Sequence, residues 1–135
     1  MVRLVVDASL LVEYLMRSDL GQDLSGILVD PDVRLHAPAV CDLEVVSTLR
    51  RLLLRRETTL ERAGEALSDL LDLPLTRHGH ESLLKRILSL RKNFSAYDAA
   101  YVALAEMLAA PLLTTDHSLA RAVKAHTTVP LLISD

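Results

Sequence analysis

Short, unbroken apolar runs alternate along the chain with longer stretches whose apolar positions recur every three or four residues. Residues 3–6 form the first run, rich in β-branched side chains and closed by Asp7, and read as a buried strand. A helical pattern follows at once over 8–16, and another over 19–29 repeats Leu20, Leu24, Ile27 and Leu28. Pro31 breaks the chain, and 33–37 makes a second strand. Pro38 stands where a helix can begin, since the missing proline N–H has no partner in a first turn anyway. That helix is predicted to run to about Arg56. Thr58 or Thr59 caps the next, with Leu60, Ala63, Leu67, Leu70 and Leu71 on one face.

The second half repeats the alternation. A third strand is predicted over 73–76 and a helix over 79–92. The pattern over 96–108 is apolar nearly all round, interrupted only by Asp98 and Glu106, and so belongs to a buried helix. Pro111 stops it; 112–114 is a fourth strand, 117–125 a last helix and 131–133 a fifth strand. Short apolar strands alternating with helices predict an α/β fold, a parallel sheet of about five strands sandwiched between helices. No repeat or linker divides 1–135, so a single domain is expected.

Composition narrows the function classes. A chain of 135 residues that is 50% apolar can fill a core and is not disordered. An aromatic share of only 3% argues against base-stacking platforms for single strands. Four glycines and five prolines are too few for a turn-rich β-sandwich. Cys41 is the sole cysteine and cannot staple the chain to itself, which points to a reducing compartment. No signal-peptide core follows Arg3, and no apolar run reaches the roughly 18 residues of a membrane span. A cytoplasmic protein without a membrane segment is expected. Net charge is −3, unevenly spread. Arg50, Arg51, Arg55 and Arg56 stand against Glu57 alone, and five cations between Arg77 and Lys92 against Glu81 alone. This is compatible with a phosphate-holding surface beside an acidic pocket, and equally with two solvated helix faces.

Four acids fall at or near predicted helix starts. Asp7 closes the first strand and Asp116 follows the fourth, so in a parallel sheet both reach the edge where ligands bind. Glu44 and Asp98 lie early in their helices, and the sequence alone does not fix where they stand relative to the first two. Each has a bland alternative: Asp7 and Asp116 as N-caps, Ser95 and Asp98 as a capping box, Glu44 as a first-turn acid. Against these, Asp98 lies among alanines, a tyrosine and a valine, where an unpaired charge is costly. Carboxylates gathered together repel, and a hard divalent cation relieves the repulsion. Such a site suits phosphodiester hydrolysis.

Four blocks carry a family resemblance: Leu4-Val5-Val6-Asp7-Ala8-Ser9, the segment Pro38 to Val45, the segment Ser95 to Ala105, and Pro111-Leu112-Leu113-Thr114-Thr115-Asp116. In this order and spacing the chain resembles the PIN-domain ribonucleases, and more narrowly the VapC-type toxins of bacterial toxin–antitoxin pairs. The resemblance implies a Mg²⁺-dependent endoribonuclease, with Mn²⁺ as a substitute. Its acidic quartet maps onto Asp7, Glu44, Asp98 and Asp116, and Ser9 and Thr114 match its supporting hydroxyls. It implies Asp7 and Asp98 as direct ligands, and Glu44 and Asp116 acting through water. It also implies a cognate antitoxin whose tail crosses the acidic pocket, a homodimer, and transfer or ribosomal RNA as substrate. Arg50, Arg51, Arg55 and Arg56 are candidates for RNA phosphate contacts. Leu10, Leu11, Leu15, Leu52, Leu53 and Leu54 are either surface covered by a partner or ordinary core. A rival is a non-catalytic interaction subunit on the same fold. His78 and His80 read as loop histidines, Cys41 as a small packing residue, and Tyr97 and Tyr101 as core or interface.

Overall fold

A computed structural model, described over residues 1–133, alternates strands and helices as the hydrophobic pattern predicts. β1 (Val2–Val6) leads into α1 (Ala8–Leu15) and α2 (Asp19–Leu28). β2 (Val33–Pro38) is followed by α3 (Val40–Leu54) and α4 (Leu60–Asp72). β3 (Leu75–His78) leads through a 3-10 turn (Glu81–Leu83) into α5 (Leu84–Ser89) and then α6 (Ala96–Leu108). β4 (Leu112–Thr114), α7 (His117–His126) and β5 (Leu131–Ile133) complete the order.

Every strand pair is parallel, and the sheet order is β3-β2-β1-β4-β5. β1 is the central strand, and Leu4, Val5 and Val6 are all buried, so both faces of the sheet are covered. α1 packs on α2, α3 and α4, while α6 packs on α5 and runs along β1, β2 and β4. Buried Ala99, Ala100, Ala103 and Ala105 let α6 lie close to the sheet. Gly21 lets α2 meet α1: a Cβ there would overlap the Glu13 carbonyl.

Side chains of Asp7, Ser18, Thr59, Ser95 and Asp116 cap α1, α2, α4, α6 and α7 by accepting a first-turn N–H. α3 and the short α5 have no such cap. Ala39 offers no side-chain cap, and the Val40 N–H instead donates to His80 Nε2 at 3.2 Å. The Ala39 N–H donates to the His78 carbonyl at 2.8 Å. The start of α3 is therefore pinned by the segment that follows β3.

Three expectations change. Pro38 does not open α3; it ends β2, paired with His78. Because β3 runs on to His78, that histidine is a strand residue rather than a loop residue, and its Nε2 lies 2.9 Å from His36 Nδ1. The stretch 79–92 is broken into the 3-10 turn and the short α5, which buries none of its own residues fully. Its apolar positions Leu83, Leu84, Ile87 and Leu88 keep helical spacing, but His80 is held on the Val40 N–H and its carbonyl accepts the Leu83 N–H, so the first turn closes as a 3-10 turn. The leucines divide as well. Leu10, Leu11 and Leu15 are core, Leu52 and Leu53 are partly buried against it, and only Leu54 is exposed. Among the described residues, no helix is long and apolar enough to cross a membrane.

Candidate active site

The sheet changes direction of growth between β1 and β4, and two of the four acids stand at the carboxyl ends of those strands. Asp7 directly follows β1 and is 4% exposed. Its Oδ1 accepts the Leu10 N–H at 3.1 Å, and the Ser9 hydroxyl reaches both carboxylate oxygens at 2.9 Å. The Thr114 hydroxyl donates to Oδ2 at 2.5 Å and itself accepts the Asp116 N–H at 2.9 Å. Thr114 thus couples the ends of the two strands. Asp116 Oδ1 accepts the Leu119 N–H at 3.1 Å. The capping reading of both aspartates holds, and it does not compete with a site: strand ends and helix starts meet at this edge.

Glu44 arrives from the second turn of α3 and Asp98 from the first turn of α6, whose Ser95 hydroxyl accepts the Asp98 N–H at 3.1 Å. All four carboxylates line one cavity of about 190 Å³. Ser9, Ser47, Thr48, Arg51 and Tyr101 line it with them. The Tyr101 hydroxyl donates to Glu44 Oε1 at 2.5 Å.

Their electrostatics follow from this crowding. Burial pushes the Asp7 carboxyl up to about 6, against its hydrogen bonds from Thr114, Leu10 and Ser9, and the Asp116 charge adds to the rise. Glu44 is raised by burial and by Asp98, with the Tyr101 hydroxyl pulling the other way. Asp98 is raised by burial and then by Asp116. Each of these acids resists ionising beside its neighbours, which is the condition a bound cation relieves.

The donor set is all oxygen, the set that hard divalent ions take. Among the described residues, no three His, Cys, Asp or Glu side chains close into a ready cage. Neither histidine nor thiolate lines the cavity. Burial pushes the Cys41 thiol up to about 12, so it stays protonated beneath the site.

Every acid that the sequence singles out reaches this cavity, and Ser9 and Thr114 lie on Asp7 as supporting hydroxyls. Of the four arginines, Arg51 lines the cavity and Arg50, Arg55 and Arg56 do not. Ser47, Thr48 and Tyr101 are additions. Ser47, Thr48 and Arg51 fall three, four and seven residues after Glu44, the spacing of one helix face, which could have found them. Tyr101 falls three after Asp98 by the same rule.

A family model for the PIN domain matches residues 4–125. Ribonuclease VapC3 of Mycobacterium tuberculosis is 42% identical over 121 residues, 89% of this chain and 87% of that protein. Ribonuclease VapC9 of the same organism is 41% identical over 113 residues, 84% of this chain and 85% of that protein. Among solved structures, PAE2754 from Pyrobaculum aerophilum superposes with a TM-score of 0.66 at 20% identity, over 96% of this chain and 83% of that one. Mycobacterium tuberculosis VapC20, a sarcin-ricin loop cleaving toxin, gives 0.65 at 15% identity, over 88% and 94%. At such identities these two structures speak for the fold alone.

Proposed function

This chain belongs to the PIN-domain family and, within it, to the VapC ribonucleases, and on that premise we propose that Asp7, Glu44, Asp98 and Asp116 form its Mg²⁺-dependent catalytic site. The observation that carries the reading is the convergence of four carboxylates from four segments on one cavity of about 190 Å³. Mn²⁺ has the same preference for oxygen and can substitute. When bound, a divalent ion at such a site activates water and stabilises the oxygen released from phosphorus.

The protein's own part is positional. Asp98, whose carboxylate accepts no side-chain hydrogen bond among the described residues, would be the more open direct ligand. Asp7 is the second, held in one orientation by Ser9, Leu10 and Thr114. Glu44 and Asp116 would act through water and position the attacking oxygen. Arg51, at the far end of the Glu44 helix face, takes a phosphate next to the scissile one. Arg50, Arg55 and Arg56 serve at most as an outer approach for the RNA.

VapC toxins pair with antitoxins. For this chain we place the antitoxin's tail across the acidic cavity, with a basic side chain among the carboxylates offsetting their repulsion. We place a transfer or ribosomal RNA as the substrate class; VapC20, which shares the fold, is a sarcin-ricin loop cleaving toxin. A homodimer is supported by exposed Leu84, Leu88 and Tyr97 beside an apolar cavity of about 250 Å³ between α5 and the starts of α3 and α6.

Thermal melts of wild type and Asp98→Asn in EDTA, then across Mg²⁺ and Mn²⁺, test the site. Metal binding only to the folded state stabilises by about 2.7 kcal/mol at a hundredfold excess over Kd. The wild type should gain this and the variant should lose it along with RNA cleavage. An Asp98→Asn protein that cleaves RNA with unaltered metal dependence would overturn the assignment.

A further inference from the structure

Tyr101 is 2% exposed, yet its hydroxyl ends at the acidic cavity, 2.5 Å from Glu44 Oε1. The ring belongs to the core and to α6; the carboxylate belongs to α3, so this one bond links the two helices that deliver Glu44 and Asp98. Cys41, on α3 one turn before Glu44, stands against the same hydroxyl from the buried side. Glu44 lines the cavity, and its Oε2 accepts no hydrogen bond among the described residues.

The type of donor matters. A carboxylate on a helix has several side-chain torsions to fix, and a buried phenol at 2.5 Å fixes them through a charge-assisted bond. A lysine or arginine in that position would do so too, but would cancel part of the negative charge that attracts a cation. A neutral hydroxyl orients Glu44 and leaves the quartet's charge intact. We infer that Tyr101 is a positioning residue of the ribonuclease site, holding Glu44 by Oε1 so that Oε2 is presented to the metal and water. The inference rests on the four-carboxylate reading above.

A buried hydroxyl that merely found the nearest acceptor would matter to stability but not through Glu44. The two cases separate in a set of four proteins: wild type, Tyr101→Phe, Glu44→Gln and the double variant. Phenylalanine keeps the ring and removes only the hydroxyl, and all four are assayed well below their metal-free melting midpoints. RNA cleavage kinetics and the Mn²⁺ dependence of the melting midpoint are read for each. Tyr101→Phe should lower kcat about tenfold with KM within about twofold, the size of one lost bond to a charged group. It should also raise half-saturating Mn²⁺ about fivefold in the melts, an effect that shrinks below about twofold in the Glu44→Gln background. Wild-type kcat and Mn²⁺ response in Tyr101→Phe would overturn the inference, as would equal losses in both backgrounds. A wild-type melt indifferent to Mn²⁺, with cleavage untouched by chelation, would sink the metal reading instead. In that case the kcat of Tyr101→Phe against wild type still decides the part played by Tyr101.

Discussion

At the amino ends of β2 and β3 a groove of about 630 Å³ opens between Tyr14, Arg17, Gln22, Arg34, Asp69 and Asp72, whereas the four-carboxylate cavity at the opposite ends holds only about 190 Å³. The larger groove carries both signs of charge, and none of its charged side chains is buried. The smaller holds four acids and one arginine, and the only two buried polar residues in the described chain, Asp7 and Thr114, belong to its edge. The difference follows from chain direction. Parallel strands send their carboxyl ends, and the starts of the next helices, to one edge, where free N–H groups and the positive ends of helices offset gathered acids. The other edge receives the carboxyl ends of α1, α2 and α4, which offer carbonyls and attract cations. Stored repulsion, rather than volume, marks the edge that can do chemistry.

Asp7→Asn should break the comparison most visibly, because one substitution is expected to act in opposite directions on activity and stability. Cleavage should fall by about a thousandfold or more, as expected on losing a charge that stabilises the transition state. Stability should rise. The Asp7 carboxyl is lifted from 3.8 to about 6 in the folded protein, so between those values the folded state holds more protons than the unfolded one. Stability from this group is present at low pH, is lost as pH rises through about 6, and stays lost at neutrality. Without metal, Asp7→Asn should therefore gain about 2 kcal/mol at pH 7.5 and little near pH 4. Denaturant titrations in EDTA at the two pH values read this directly. Asp72→Asn, in the larger groove, should change neither cleavage nor pH dependence; a large loss of cleavage there would mean the two edges are not divided as described.

How far this division could be read without coordinates depends on the residue. Asp7 and Asp116 are legible because each follows an apolar run short enough to be only a strand, and strand ends have a known edge. Glu44 is harder: the start of α3 is fixed by His78 and His80, about forty residues later, so its local sequence misplaces the helix at Pro38. Tyr101 reads as core because its ring is core, and nothing near it in sequence reveals that its hydroxyl meets a carboxylate on another helix. The four arginines look alike in sequence; helix geometry alone sends Arg51 to the Glu44 face. The apolar spacing of 79–92 likewise reads as one helix and does not show that its first turn, tied to His80, is a 3-10 turn.

Arg51 sharpens the comparison from the substrate side. Its guanidinium leans along α3 toward the Ser47 and Thr48 hydroxyls, 3.4 and 3.1 Å away, leaving it at the cavity rim. Arg51→Ala should raise KM for RNA about fivefold, leave kcat within about twofold and reduce the salt dependence of binding by about one phosphate. Arg55→Ala should stay within about twofold on every measure. Equal effects from the two would show that the RNA is held by a diffuse basic surface and not by a track leading out of the cavity.

The smallest expected effect belongs to the amino edge. Arg17 ends α1 in the left-handed region, with φ of 58°, where its N–H donates to the Tyr14 carbonyl and the Ser18 N–H to the Glu13 carbonyl. This is the closing pattern that glycine usually supplies, and a residue bearing Cβ adopts it at a cost. Arg17→Gly relieves the strain but frees the unfolded chain, so the net gain should be only about 0.5 kcal/mol, read as a higher denaturant midpoint at unchanged slope. Cleavage should not move, since the side chain lies on the groove and away from the carboxylates. Greater stability with unchanged cleavage would place Arg17 among residues that close a helix and nothing more. Greater stability bought with lost cleavage would mean that this edge also takes part in function, and that its mixed charges serve an RNA or a partner after all.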